Sequence, residues 1–542
     1  MKKIVSLLLL CLSLLPAANA QTIKNSSLQV DKWGWHKVLN MNLLESVCYG
    51  NLDGNIYFRT EAGRFMIKDS LYCYNMKSGN IVSKLEFDGF PCVTPNRTLK
   101  LFRKEFDKDT RVFKLFCDEL NTKTLKTNSS KELFQISLVK RPDYAFSYSI
   151  SPDSSKVLCL MTVETEKNDY SHYYVVYDLL TDEYEKSEIS FKTAAPYYSL
   201  SGSKITDRGE MVFFLKTFDS KKANKLTNVE TFWVDADKEM QRLVFKMPEK
   251  TSLNSLNAQV LHNGNLALTI LLHNGGISSG DFDLYYNIFK KSDFENEEFQ
   301  KYHFQDVWLE KQKVALKNYS RMEVSFITEL DNGKVMLTGF PYKILTQCSN
   351  NSCVNKNYWG GFFNLELNSD GVIETVSFVD RFAKKLKTAV VPLSSVDIYY
   401  SVFPYGNNLY LLYNESVYKV KDGKPTYAYK PANPAYITLY RLGEDGEKCF
   451  NLSGAEPTLF GCNNYLTRAG NKFYVLTRGN KYGSIGSFEL PEVAAKDFTR
   501  RSSKAPVVNE VKSQEKKDAV ETTSEPVPAK AKSNPRNRSV KK

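Results

Sequence analysis

One phrase recurs along this chain and limits what it can become: a tight polar turn followed at once by a short apolar strand. Its clearest copy is Ser151-Pro152-Asp153-Ser154-Ser155-Lys156-Val157-Leu158-Cys159-Leu160. Pro152 presets φ for the first central turn position, Asp153 and the serines bond back to local backbone, and Val157 to Leu160 fit a pleated surface. The same order of events recurs at Asp53-Gly54-Asn55-Ile56, Pro95-Asn96-Arg97-Thr98-Leu99, Asp207-Arg208-Gly209-Glu210-Met211 and Asn263-Gly264-Asn265-Leu266. Three more copies follow at Asp331-Asn332-Gly333-Lys334-Val335, Gly406-Asn407-Asn408-Leu409 and Gly470-Asn471-Lys472-Phe473. Eight copies at irregular intervals imply eight similar units.

A second phrase trails the first: an aromatic strand running into a polar turn, as in Cys73 to Gly79, Phe116 to Thr122, Val176 to Asp182 and Phe363 to Gly371. Strand, turn, strand, longer loop, strand, turn, strand is one four-stranded blade, and a β-propeller repeats it about a channel. The two phrases resemble the turn-and-strand signatures of TolB-like and WD-type propellers over about ten residues per unit, without the Gly-His and Trp-Asp pairs of the true WD class. The resemblance implies architecture and carries over no functional residue. The alternative is an all-β sandwich whose hairpins all favour Asp, Asn and Gly, but a single sandwich rarely needs this many strands. The expected fold is therefore all-β, a seven- or eight-bladed propeller of four-stranded antiparallel blades with a disordered C-terminal tail. Such a ring is expected to act as a monomer.

Three regions follow from composition. Residues 1–20 carry Lys2 and Lys3, an apolar run from Ile4 to Leu15 and the small-residue site Ala18-Asn19-Ala20, the pattern of a secretory signal cleaved before Gln21. Residues 21–493 form the propeller, with the segment from Gln21 to about Asn42 available to complete the last blade or to add an accessory strand. Residues 494–542 hold Pro506, Pro526, Pro528 and Pro535 and a single aromatic, Phe498. They cannot bury enough apolar surface to fold alone. The formal net charge of +12 is concentrated in that tail, which has 13 basic residues against 6 acidic. A basic body surface, and with it nucleic-acid binding, is not indicated. No stretch after the signal approaches the roughly 18 uninterrupted apolar residues of a membrane span.

The later units are swollen by insertions, and loops on a rigid scaffold are where binding usually sits. The first, His303 to Met322, includes Trp308 in a short amphipathic pattern; a packing tryptophan is the blander account. The second, Tyr342 to Tyr358, brackets a polar tip with Cys348 and Cys353 and runs up to Trp359. The third, Val379 to Ser395, carries Arg381, Lys384 and Lys385, a basic patch suited to an acidic glycan or lipid, although such runs are more often solvated faces. In an oxidising compartment Cys348 with Cys353 reads as a local disulfide, and Cys449 with Cys462 as a second. Cys73, Cys117 and Cys159 sit inside apolar strands, where a free cysteine behaves as a small hydrophobe.

Catalytic and metal motifs do not stand out. The five histidines fall in no metal-ligand spacing, and no G-x-S-x-G elbow or phosphate loop is present. His262 and His273 each precede Asn-Gly and read as turn-adjacent. Asp235 with Asp237 and Glu444 with Asp445 read as solvated turn residues, although paired carboxylates can serve glycoside hydrolysis. No metal and no cofactor is expected. The reading is an exported bacterial propeller that binds an envelope protein or glycan through its loops, as a scaffold without catalysis. The alternative is a secreted carbohydrate-active enzyme with carboxylates at the channel.

Overall fold

The computed structural model describes residues 47–490, apart from internal segments of which the longest are 305–320 and 380–399. The signal segment, the strand proposed within 21–42 and the tail 494–542 lie outside the described residues.

Within that span every sheet is antiparallel, and in the first five blades consecutive strands are neighbours; the sixth and seventh each carry a hairpin between their second and third strands. Seven four-stranded blades cover residues 47–87, 89–137, 144–189, 197–246, 251–303, 321–379 and 400–451. They are numbered blades 1 to 7. An eighth sheet, over 459–489, pairs Lys472–Arg478 with Gly483–Glu489 on one side and with Leu466–Ala469 and Leu459–Phe460 on the other. Two of its four strands share one edge of Lys472–Arg478, so among the described residues it is three strands wide. This is where the 21–42 segment was expected to pair.

Seven of the first phrases turn out to be turns between the first and second strands of one blade, and the eighth falls between Leu466–Ala469 and Lys472–Arg478, with Gly470 itself outside the described residues. Each second phrase is the turn between the third and fourth strands. Both turns close by local bonds. In the first turn of blade 4, for example, Gly209 N–H donates to Thr206 O and Thr206 N–H to Glu210 O. That geometry needs a left-handed residue, and Gly209 supplies it at φ +87°.

The strands after the first turns are continuous apolar runs because both of their faces are covered. Met211, Phe213 and Leu215 of Met211–Phe218 pack into blade 3, with Leu158, Leu160 and Tyr174. Val212 and Phe214, which alternate with them, pack into blade 5, with Leu266, Leu268 and Phe289. Period-two alternation thus feeds two cores rather than one core and solvent. Similar clusters join blades 1 and 2, 2 and 3, 5 and 6, and 6 and 7. Leu412, Leu439, Phe473 and Phe488 join blade 7 to the eighth sheet, and Phe58, Tyr72, Tyr74 and Ile485 join that sheet to blade 1. The ring is closed by side-chain packing, and the propeller expectation holds over the sandwich alternative.

Candidate functional site

Alternating strand direction sorts all connections onto two faces. The first and third connections of each blade, the tight turns, lie on one face; the second connections and the crossings to the next blade lie on the other. The described strand ends from which the three insertions singled out in the sequence depart therefore share a face: they lie between blades 5 and 6, within blade 6, and between blades 6 and 7. This loop-bearing face is the candidate site.

Its most prominent element is a hairpin. Val335–Ser349 pairs with Arg321–Glu329 and with Phe362–Leu367 only as far as Tyr342, and beyond that it pairs with Ser352–Trp359 alone. Seven residues on each side of the hairpin thus project past the blade, roughly 23 Å at about 3.3 Å per residue. Blade 7 carries a second hairpin in the equivalent connection, Tyr418–Lys421 with Lys424–Tyr427. The register places Cys348 opposite Cys353, one step from the tip, and Trp359 opposite Tyr342 at the base. Trp308, Arg381, Lys384, Lys385 and Cys462 lie outside the described residues, and Cys449 is in the strand Lys448–Asn451, opposite Tyr440. The four cysteines Cys73, Cys92, Cys117 and Cys159 are buried free thiols, and burial pushes Cys92 up to about 12. Cys73, Cys117 and Cys159 thus behave as the apolar strands around them imply.

At the root of the first insertion the structure shows a polar network with no local sequence signal. His303 Nδ1 lies 2.8 Å from Asp283 Oδ1, Lys301 Nζ 2.9 Å from Asp283 Oδ2, and Asn274 Nδ2 donates to Asp283 Oδ2 at 2.6 Å and to Asp281 Oδ1 at 3.1 Å. Burial opposes the charge on Asp283, yet bonds from Lys301, Asn274 and His303 hold its carboxyl below the usual range. The ligand atoms of Asp281, Asp283 and His303 lie within 4.8 Å of one another, a spacing that would suit a cation. Lys301 already supplies the positive charge, so the network reads as an anchor for the insertion's first residue. His273 is turn-adjacent as expected, the penultimate residue of the strand Leu266–Asn274, and is also buried against Phe282.

The opposite face is bound together from blade to blade. Asp53 pairs with Arg97 at 2.5 Å, Asp153 N–H donates to Asp207 Oδ1 at 3.0 Å, and His262 N–H donates to Glu329 Oε2 at 2.7 Å. Asp331 N–H continues the belt by donating to Gly406 O at 3.3 Å. His262 is thus turn-adjacent, as its sequence suggests. Asp153 and Asp207 are brought together where the first turns of blades 3 and 4 meet: burial and the adjacent Asp153 push Asp207 up to about 6. Burial also raises Asp153, but bonds from Ser155 and Ser151 outweigh it and keep that carboxyl below its ordinary value.

No family model and no curated protein matches the sequence. Among solved structures, the chain is similar to the β-propeller domain of the Trilobed protease from Pyrococcus furiosus, at 12% identity over 76% of this chain and 100% of that one, with TM-score 0.36. It is also similar to the WD40 domain of SCAP from fission yeast, at 8% identity over 85% and 98%, with TM-score 0.36. What these likenesses share with the chain is a β-propeller fold, which the chain's own sheets establish. A third similar structure is a quinohemoprotein alcohol dehydrogenase from Pseudomonas putida HK5, at 9% identity over 84% and 77%, with TM-score 0.39. The propeller's own strand order and inter-blade cores carry the fold, and its chemistry has to be read from its own side chains. Among the described residues no helix is long and apolar enough to cross a membrane.

Proposed function

We propose that this propeller is exported and acts as a non-catalytic binding or scaffold protein of a bacterial cell envelope, holding a protein or glycan on its loop-bearing face above blades 5 to 7. The observation that supports this most is the clustering of roots: two hairpins, and the strand ends from which the two longest crossings leave, share one face. The other face is occupied by short turns bonded to their neighbours. The basic tail, 494–542, keeps the ring near anionic envelope polymers in this reading. Cys348 and Cys353 form a disulfide that staples the hairpin tip. Directly opposed antiparallel residues have Cα atoms about 4.5 or 5.5 Å apart, within the span of roughly 4.4–6.8 Å that a disulfide bridges.

The second reading, a secreted carbohydrate-active enzyme, has the Asp153–Asp207 pair in its favour. Against it, Asp207 Oδ1 accepts from the Asp153 N–H and Asp153 Oδ1 is held by Ser151 and Ser155 of its own turn, so both carboxylates are engaged in joining turns rather than set about a sugar as glycosidase pairs are. The deciding experiment is capture by the tagged chain 21–542 from its own envelope, compared with a variant in which Lys343 to Tyr358 is replaced by Asn-Gly and with a variant lacking 494–542. A stoichiometric component lost with the hairpin, at unchanged thermal stability, is the expected result, with weaker envelope association for the tail deletion. A component retained by the trimmed variant would overturn the assignment to this face.

A further inference from the structure

On the opposite, turn-bearing face, blades 3 and 4 part to leave a groove of about 320 Å3, within the range of small-molecule sites. We infer that this groove is a binding site for a short neutral oligosaccharide, distinct from the loop-bearing face.

The argument begins with its floor and ends. Val176 of blade 3 and Met211 of blade 4 form an apolar base, with Tyr174 beside them. Toward the channel, the blades are joined by the bond from Asp153 N–H to Asp207 Oδ1. Toward the rim, they are joined by Lys238 Nζ of blade 4, 2.7 Å from Glu185 Oε1 of blade 3. The groove is therefore bounded at both ends and suits a short chain.

The walls decide what kind of chain. Lys156, Arg208 and Lys238 face Asp178, Glu183, Glu185 and Asp235, a near balance that attracts neither a polyanion nor a polycation. Lys156 Nζ is 2.6 Å from Asp178 Oδ2, and Tyr174 OH donates to Glu185 Oε1 at 3.4 Å, so these groups are held in place before any ligand arrives. Arg208 and Glu183 are exposed, and no side chain of the described residues pairs with either. A sugar hydroxyl can accept from a guanidinium and donate to a carboxylate, while the ring's C–H face lies on an apolar floor. A groove with fixed acceptors, fixed donors, one free group of each kind and almost no net charge matches a neutral polyol. Gly209 lines the inner end, where its φ of +87° is one that residues with a Cβ rarely adopt.

The test is calorimetric titration of the chain 21–542 with cellohexaose, maltohexaose, mannohexaose and xylohexaose, and with heparin and oligolysine as charged comparisons. At least one neutral hexasaccharide is expected to bind. Arg208→Ala should weaken it about tenfold or more, the loss of a charge-assisted hydrogen bond, and Ala236→Phe should abolish it by filling the wall. Both positions are exposed, so the melting temperature of each variant should match the parent. The variant trimmed of 343–358 should bind as the parent does, which separates this site from the loop-bearing one. Absence of binding by all four at millimolar concentration, binding by the charged comparisons alone, or binding indifferent to both substitutions would overturn the inference.

Discussion

The two faces of this ring are built from the same strands and answer to different constraints. On the turn-bearing face most connections are a few residues long, and many bond to the next blade as well as to themselves, as Asp53 does to Arg97 and His262 to Glu329. Lengthening one would break a neighbour's contact. On the loop-bearing face only the roots of a connection are fixed, and buried charge does the fixing. Ala194 N–H, in the crossing from blade 3 to blade 4, donates to Glu230 Oε1 at 2.9 Å, and His303 at the root of the first insertion is held by Asp283. Between those roots the chain is free to grow. The difference explains how one scaffold can keep a rigid ring and still present a variable surface.

If that contrast is right, cutting an anchor on the loop-bearing face destabilises the ring far more than cutting a bridge on the other. Glu230 is fully buried and pairs with Arg242 Nη2 at 2.8 Å. Glu230→Ala strands both the guanidinium and the Ala194 N–H, and should lower unfolding free energy by about 3–5 kcal/mol. Asp283→Ala is expected to follow closely, since it removes the partner of Lys301, Asn274 and His303 together. Asp53→Ala breaks a pair whose side chains are 71% and 51% exposed and should lower it by less than about 1 kcal/mol. Urea denaturation of the three variants measures all of this. Equal losses would erase the distinction between the faces.

The faces also oppose each other in pH dependence, in one window. His172, in the loop-side half of blade 3, is buried between Thr162 Oγ1 at 2.9 Å and Tyr198 OH at 3.1 Å, and burial lowers it to about 4. A depressed histidine means the unfolded chain binds the proton more readily, so stability is lost as pH falls from about 6.5 to about 4. Asp207, on the turn side, is raised to about 6. Its folded form holds the proton more tightly, so that contribution is lost as pH rises from about 4 to about 6. In the parent the two slopes partly cancel. Asp207→Asn should unmask a steeper acid loss, and His172→Phe should flatten or reverse it. Stability measured by urea at intervals from pH 4 to 7 reads both, and a parallel profile for either variant would refute the assignment to that residue.

Legibility in the sequence followed the same division. The eight turn phrases could be read because each is a local event: a polar turn whose residues bond to one another, then a run covered on both faces. The number of blades, open between seven and eight in the sequence, is seven among the described residues, because the eighth copy of the phrase falls in a sheet that lacks the regular four-strand order. What could not be read is what the ring brings together from afar. Asp153 and Asp207 lie 54 residues apart, and each alone is an ordinary turn aspartate. Asp283 meets His303 because the last strand of blade 5 returns alongside the third, not because of any spacing between them. His273 is turn-adjacent, as the Asn-Gly after it implies, being the penultimate residue of its strand, but its burial against Phe282 has no local signal. The groove between blades 3 and 4 has no linear signature, since its walls come from five separate stretches.

The smallest expected effect concerns the turns themselves. In blades 4, 5 and 6 the left-handed position of the first turn is glycine, but in blade 3 it is Ser154 at φ +60°. A non-glycine residue there loses roughly 1–2 kcal/mol relative to a relaxed backbone, while glycine restores some of that loss through its larger unfolded-state entropy, about 0.5–1 kcal/mol. Ser154→Gly keeps the bond from its N–H to Ser151 O and should stabilise the protein by a few tenths to about 1 kcal/mol in urea denaturation. The sign matters more than the size. A gain means that backbone bonds alone define these turns, so that any residue tolerating the conformation can build this face. A loss would mean that the serine hydroxyl holds the turn, and the rigidity of this face would then rest on side chains, as the anchors of the other face do.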